Sequence, residues 1–361
     1  VKITNFGVNS RPHVIGLQDE FIKSFPAPSP IEAGLRDDLC PDNLGKNWSG
    51  IVLNSGVDNL LMLLDCDDGG WQTPDNFKLD LKKLRDVIIK YKISDLTIFK
   101  LQLLEESERT SYIPDLGENI FPIGLMTHQS FYEFSDRLIK VYSEERIEKD
   151  IDVFFAGGRI FDENIEKNYH NKMKTWPKDQ PRDRWFSLVR QRGYNKLLEI
   201  KEKRRDLNIV CEDYGLDQVE YLDLVMRSKI CVGFPGIGKG SRKFHEFLVL
   251  GKCALSLRQQ LNCWNISENI HYLSLGDDYN FDTLEEVIVS SLSDKSIISQ
   301  IEKNCVDISK NLTYKHAVEY MIKSLNASHL RKNSQEVIDR ILDQSIQKEW
   351  EKLKQISIEQ D

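Results

Sequence analysis

Apolar residues fall in short runs along the chain, separated by polar turns and alternating with stretches of helical spacing. Residues 60–64 form a continuous apolar run closed by Asp65-Cys-Asp-Asp-Gly-Gly70, which predicts a buried strand with a loop at its end. Residues 79–91 carry helical spacing, 95–103 read as a strand, and 129–145 as an amphipathic helix. A second series starts near Asp150. Strands are predicted at 152–156, 208–211, 229–232, 253–257 and 271–275, with helices at 183–203, 217–227, 241–250, 283–293 and 296–309. Strands alternating with helices imply a parallel, doubly wound sheet, which binds ligands at the carboxyl ends of its strands. The loops at 157–159 and 233–241 fall at such ends. Residues 172–184 are polar with two prolines and read as a surface loop. One apolar stripe in the charged segment 328–361 reads as a single helix packed on the body.

The chain has 361 residues, enough for two domains. We expect an α/β protein with lobes at 1–148 and 149–327 and a C-terminal helix at 328–361. A net charge of −8 argues against nucleic acid as the main partner, because a phosphate-backbone binder needs a broad basic face. A local pocket of Arg and Lys still suffices for a small anion. The seven Cys are scattered, with no CxxC pair and no zinc spacing, so a reduced, cytoplasmic setting is expected and no metal site. No apolar run approaches the length of a membrane span. The chain opens on Val1 without a signal-peptide pattern, so a trimmed start, or a further domain at either end, fits the sequence.

The most informative stretch runs from Gly233 to Lys252. A buried strand feeds a loop with Gly at 233, 236, 238 and 240. Glycines let backbone N–H groups approach a phosphate closely. Ser241 is placed to cap the next helix, whose N-terminus favours an anion. Lys239 and Arg242 put cations at the same mouth, and Glu246 shares a helix face with Arg242. Gly233-x4-Gly238-Lys239 nearly spells a P-loop. Gly240 stands where the Mg²⁺-binding Ser or Thr belongs, and the motif follows the third strand of its series instead of the first. An NTP-dependent phosphotransferase is therefore an alternative, as is a non-catalytic nucleotide- or carbohydrate-binding module.

Phe234-Pro235-Gly236, Ser241-Arg-Lys-Phe-His-Glu246 and Gly251-Lys-Cys-Ala-Leu255 together resemble the exostosin-like pattern of GT-B glycosyltransferases. The resemblance covers about 150–310 in element order and treats 1–149 as an acceptor domain. It implies a GT-B fold of two Rossmann-like, doubly wound domains and sugar transfer from a UDP- or GDP-linked donor to a glycan or glycoprotein acceptor. The donor is then a substrate, and no separate cofactor is expected. It also implies that Lys239 and Arg242 contact the diphosphate, with Pro235, Gly236 and Ser241 in the same loop, and that Glu246 meets the ribose hydroxyls. Gly157, Gly158 and Arg159 would line the facing phosphate loop. Retaining families carry a second Glu eight residues before the Glu246 position. Here that residue is Gly238, which points to inversion.

Inverting transfer needs a general base for the acceptor hydroxyl. Lys, Arg and a helix dipole can stabilise the leaving diphosphate without metal. Asp65, Asp67 and Asp68 follow a predicted strand and are the candidate bases, since neighbouring carboxylates raise one another's pKa. The same residues also read as a solvated acidic turn, or as the DxD metal motif of the GT-A class, which would need its nucleotide fold at the N-terminus. His13 is a further candidate base. His245 is expected to pack under its helix.

Overall fold

The computed structural model describes residues 2–6, 17, 20, 21, 23, 24, 48–54, 59–65, 85, 88–101, 120–124, 129–145, 147–157, 186–212, 216–235, 241–259 and 264–325. The expected loop at 172–184 and the tail at 328–361 lie outside the described residues, as do His13 and most of the expected helix at 79–91.

The apolar run at 60–64 becomes the middle of a five-stranded sheet, β3 (Asn59–Asp65). Leu61, Met62, Leu63 and Leu64 are all fully buried, because a central strand is covered on both faces. The order is β1 (Lys2–Phe6), β2 (Trp48–Asn54), β3, β4 (Asp95–Leu101) and β5 (Ile120–Ile123). The β1/β2 and β2/β3 pairs are antiparallel, while β3/β4 and β4/β5 are parallel. The sheet is thus mixed, with its antiparallel strands to one side. The sequence between β2 and β3, with Gly56 and Asp58 flanked by Asn54 and Asn59, has the composition of a turn.

Helix α1 (Gln129–Glu144) leads to a second five-stranded sheet. Its chain order is β6 (Ile151–Ala156), α2 (Phe186–Lys203), β7 (Ile209–Glu212), α3 (Gln218–Met226), β8 (Ser228–Val232), α4 (Arg242–Val249), β9 (Ala254–Ser256) and β10 (Leu273–Ser274). In space the strands run β10-β9-β8-β6-β7, all parallel. The alternation of side chains along β6 shows the two covered faces. Phe154 meets Tyr221 of α3 at 6.1 Å between ring centroids, and Phe155 meets Tyr194 of α2 at 5.5 Å. Successive strand residues point to opposite faces, so α2 and α3 lie on opposite sides of the sheet. This is the doubly wound arrangement expected for an α/β fold.

Helices α5 (Leu284–Ser293), α6 (Lys295–Ser309) and α7 (Tyr314–Leu325) complete the described chain. Helix α7 returns to the first sheet, where Tyr320 sits edge-on to Phe99 of β4 at 6.4 Å. Trp264 covers Gly124, just past β5, so closely that a Cβ there would lie 1.8 Å from the indole nitrogen. The segment between the sheets is held by charge. Arg227 pairs with Asp150 at 2.6 Å and Asp223 at 3.1 Å, and the Tyr142 hydroxyl donates to Asp223 at 2.9 Å. One contiguous apolar core includes Met62, Phe99 and Ile123 of the first sheet and Phe154, Ile230 and Leu255 of the second. Among the described residues no helix is long and apolar enough to cross a membrane.

Candidate functional site

The strand order of the second sheet fixes where a ligand site belongs. After β6 the chain moves outward through α2 to β7, then returns past β6 to β8 and continues the other way. Connections therefore diverge between the carboxyl ends of β6 and β8, and a doubly wound sheet opens its crevice at that switch point. Gly157 follows β6 there, and Gly233, Phe234 and Pro235 follow β8.

The loop after β8 is built into the sheet before it leaves it. The Gly233 carbonyl accepts from Ser256 Oγ at 2.7 Å, and Gly233 N–H donates to the Leu255 carbonyl. A Cβ at Gly233 would lie 3.0 Å from Phe244 Cβ, so a glycine is what lets α4 pack onto the strand end. Ser241 caps α4 from an extended backbone, accepting from Phe244 N–H at 3.1 Å. Gly251, at φ +62°, ends the helix; its N–H donates to Leu248 and that of Lys252 to Phe247, a Schellman closure. The glycine between helix and β9 in the sequence pattern is thus a helix stop in a conformation other residues rarely adopt.

Two cations cross the switch point in opposite senses. Lys243 of α4, the helix after β8, donates to the Ala156 carbonyl at the end of β6 at 2.7 Å. Arg190 of α2, the helix after β6, donates to the Pro235 carbonyl beyond β8 at 2.6 Å. Burial lowers the pKa of the Lys243 ammonium; Glu246 opposes this and Arg190 adds to it. Two mutually repelling cations, half-buried beside a capped helix N-terminus, form a place where an anion is stabilised.

Glu246 lies one turn into α4 with its side chain 16% exposed. Arg242 Nε is 2.9 Å from one carboxylate oxygen, and the Tyr221 hydroxyl donates to the other at 3.3 Å. The Arg242 side chain is itself 88% exposed. Lys243 Nζ also stands 4.8 Å from the centroid of the Tyr221 ring. Burial, followed by the Glu246 charge, raises the pKa of Tyr221, so its hydroxyl keeps its proton and remains a donor.

Of the residues singled out in the sequence, Gly157, Pro235, Ser241, Arg242 and Glu246 are placed around this point. Gly158, Arg159, Gly236 and Lys239 lie outside the described residues. Asp65 is the last residue of β3, and Asp67 and Asp68 lie outside the described residues. Sequence reasoning passed over Lys243, Arg190 and Tyr221. Lys243 had a signal, being three residues before Glu246 on one helix face. Arg190 and Tyr221 had none, since only the tertiary fold brings α2 and α3 to the switch point. His245 is buried as expected, with burial lowering its pKa to about 4. Among the described residues no group of His, Cys, Asp or Glu forms a metal-ligand set.

No protein-family model matches the chain, and no curated protein matches it. Among solved structures it is similar to HepE of Anabaena in complex with UDP, at 11% identity and a TM-score of 0.40, over 72% of this chain and 71% of that one. It is also similar to sucrose-phosphate synthase of Thermosynechococcus elongatus, at 12% identity and a TM-score of 0.37, over 69% and 77% of the two chains. For trehalose-6-phosphate synthase OtsA the values are 12%, 0.40, 72% and 65%.

Proposed function

We propose that the chain is a GT-B glycosyltransferase that moves a sugar from a UDP- or GDP-linked donor to a glycan hydroxyl. The observation that carries this reading is the reciprocal bracing of the switch point by Lys243 and Arg190, beside the N-terminus of α4. A diphosphate fits two cations and a helix N-terminus, and a ribose diol fits a carboxylate one turn further on. In this reading Glu246 takes the ribose hydroxyls. Lys243 and Arg190 join Arg242 and Lys239 as cations for the diphosphate, with Gly157, Gly158, Arg159, Pro235, Gly236 and Ser241 around it. Residues 149–327 hold the donor and residues 1–148 the acceptor.

The reaction is proposed to invert the anomeric centre without metal. The acceptor hydroxyl attacks the anomeric carbon as the bond to the diphosphate oxygen breaks. A carboxylate among Asp65, Asp67 and Asp68 takes the hydroxyl proton, and the cations with the α4 dipole stabilise the leaving diphosphate. The alternative phosphotransferase is separated by one experiment, thermal shift and calorimetry with UDP, GDP and ATP, each with Mg²⁺ and with EDTA, alongside an ATP hydrolysis assay. The transferase reading expects UDP or GDP to bind in EDTA and ATP to persist. Mg²⁺-dependent ATP turnover without UDP or GDP binding would overturn it.

A further inference from the structure

Tyr221 stands outside the loop that carries the site, on a helix fixed by its own capping box. Asp217 accepts from Val219 and Glu220 N–H groups at 2.8 Å each, and the Glu220 side chain returns to the Asp217 N–H. From that fixed helix the Tyr221 side chain reaches two charged groups of α4 at once. Its hydroxyl donates to Glu246 Oε2 at 3.3 Å, and its ring lies 4.8 Å from Lys243 Nζ. Phe154 of β6 backs the same ring at 6.1 Å. The other Glu246 oxygen is held by Arg242 Nε at 2.9 Å. Among the described residues each carboxylate oxygen thus has one donor, from opposite ends of the group, which orients the carboxylate plane. A carboxylate has about four lone-pair sites, so beside these donors one on each oxygen is left to match a ligand. Two acceptor sites side by side match two neighbouring hydroxyls.

We infer that Tyr221 is a positioning residue that orients Glu246 to receive a vicinal diol. The inference rests on the proposed contact between Glu246 and the ribose. A phenylalanine would keep the ring beneath Lys243 and against Phe154, and would remove only the donor to Glu246. The effect of Tyr221→Phe should therefore fall on recognition of the ribose hydroxyls and leave diphosphate binding in place.

The test is calorimetric binding of UDP and GDP and of their 2′,3′-dideoxy forms to wild-type protein and to Y221F, with thermal melts to establish that the variant is folded. Wild type is expected to prefer the ribose forms. Y221F should lose about fivefold to tenfold of affinity for the ribose form that binds, the net size of one ordinary hydrogen bond. Its affinity for the dideoxy form should match wild type. Equal losses for both forms, or an undiminished ribose preference in Y221F, would overturn the role of Tyr221 alone. Equal binding of both forms by wild type would overturn the ribose contact of Glu246, and the role of Tyr221 with it. Absence of UDP and GDP binding by wild type would overturn the whole functional reading.

Discussion

Arg190 Nε donates to the carbonyl of Pro235 across 45 residues of sequence, at 2.6 Å. This bond joins the helix after β6 to the loop after β8, and so sets the spacing of the two walls of the switch point. Arg190→Ala frees the Pro235 carbonyl and removes a cation. The expected outcome is a fall in UDP or GDP affinity of about tenfold or more, as for loss of a charged hydrogen bond. Lysine should rescue it poorly, because its ammonium lacks the Nε–H geometry of a guanidinium. Calorimetry on both variants checks this, and unchanged affinity in Arg190→Ala would remove the switch point as the nucleotide site.

Gly233 tests the packing that carries α4. A Cβ there meets Phe244 at 3.0 Å to its Cβ and 3.3 Å to its Cα, and neither atom can rotate away. Gly233→Ala is expected to cost about 1–3 kcal/mol through overpacking. Equilibrium urea unfolding measures this. A neutral result would mean that α4 shifts on β8 at little cost.

The second sheet was legible because its strands are short, apolar and closed by glycine or polar residues. Ile151–Ala156 and Ser228–Val232 could hardly be read otherwise. Ser241 announced its cap by chemistry alone, and the structure has that cap. The strands of the first sheet were legible only at β3 and β4, where burial on both faces gives near-continuous apolar runs. Strands β1, β2 and β5 carry Asn, Thr, Ser, Gly and Pro among their apolar residues, so periodicity leaves them unmarked. At the site, the loop residues were readable because Gly, Ser and Pro have local reasons to be there. Arg190 and Tyr221 act through tertiary contacts, and nothing in their sequence neighbourhoods sets them apart. The exposure of Arg242 likewise follows from which way α4 rolls on the sheet, with Phe244, Phe247 and Leu248 buried.

His245 links the site helix to pH. Burial alone lowers its pKa from 6.5 to about 4, and among the described residues its Nδ1 has no hydrogen-bond partner. Above pH 6.5 the imidazole is neutral in both folded and unfolded chains, and no stability is lost. As pH falls from 6.5 toward 4 the unfolded chain takes the proton first, so the folded state is progressively disfavoured. The full effect is about 3 kcal/mol. Urea unfolding of wild type and His245→Leu at pH 7.5 and 4.5 checks this, the variant cancelling the contribution of the other titrating groups. The stability loss on acidification should be smaller in the variant by most of that amount. Equal losses would mean that His245 finds a partner when charged.

The far end of the second sheet offers a prediction of a different kind, because there a charge is buried away from any proposed ligand. Lys252 is almost fully buried just before β9. It donates to the Met226 carbonyl at 3.1 Å and lies 3.5 Å from Glu302 of α6. Glu302 also accepts from Lys149, at 2.6 and 2.5 Å, in the segment between the two sheets. One carboxylate therefore serves two ammonium groups, and only Lys149 has substantial access to water. Glu302→Gln leaves Lys252 buried without its counter-charge, which should cost about 3–5 kcal/mol. Lys149→Ala should cost less, since the Lys252–Glu302 pair survives it. Replacing both buried partners, Lys252→Met with Glu302→Leu, should recover most of the loss of Glu302→Gln, because no buried charge then remains. Urea unfolding of the three variants decides it. A double variant no more stable than Glu302→Gln would show that the shape of the pair, more than its charge, holds α6 to the sheet.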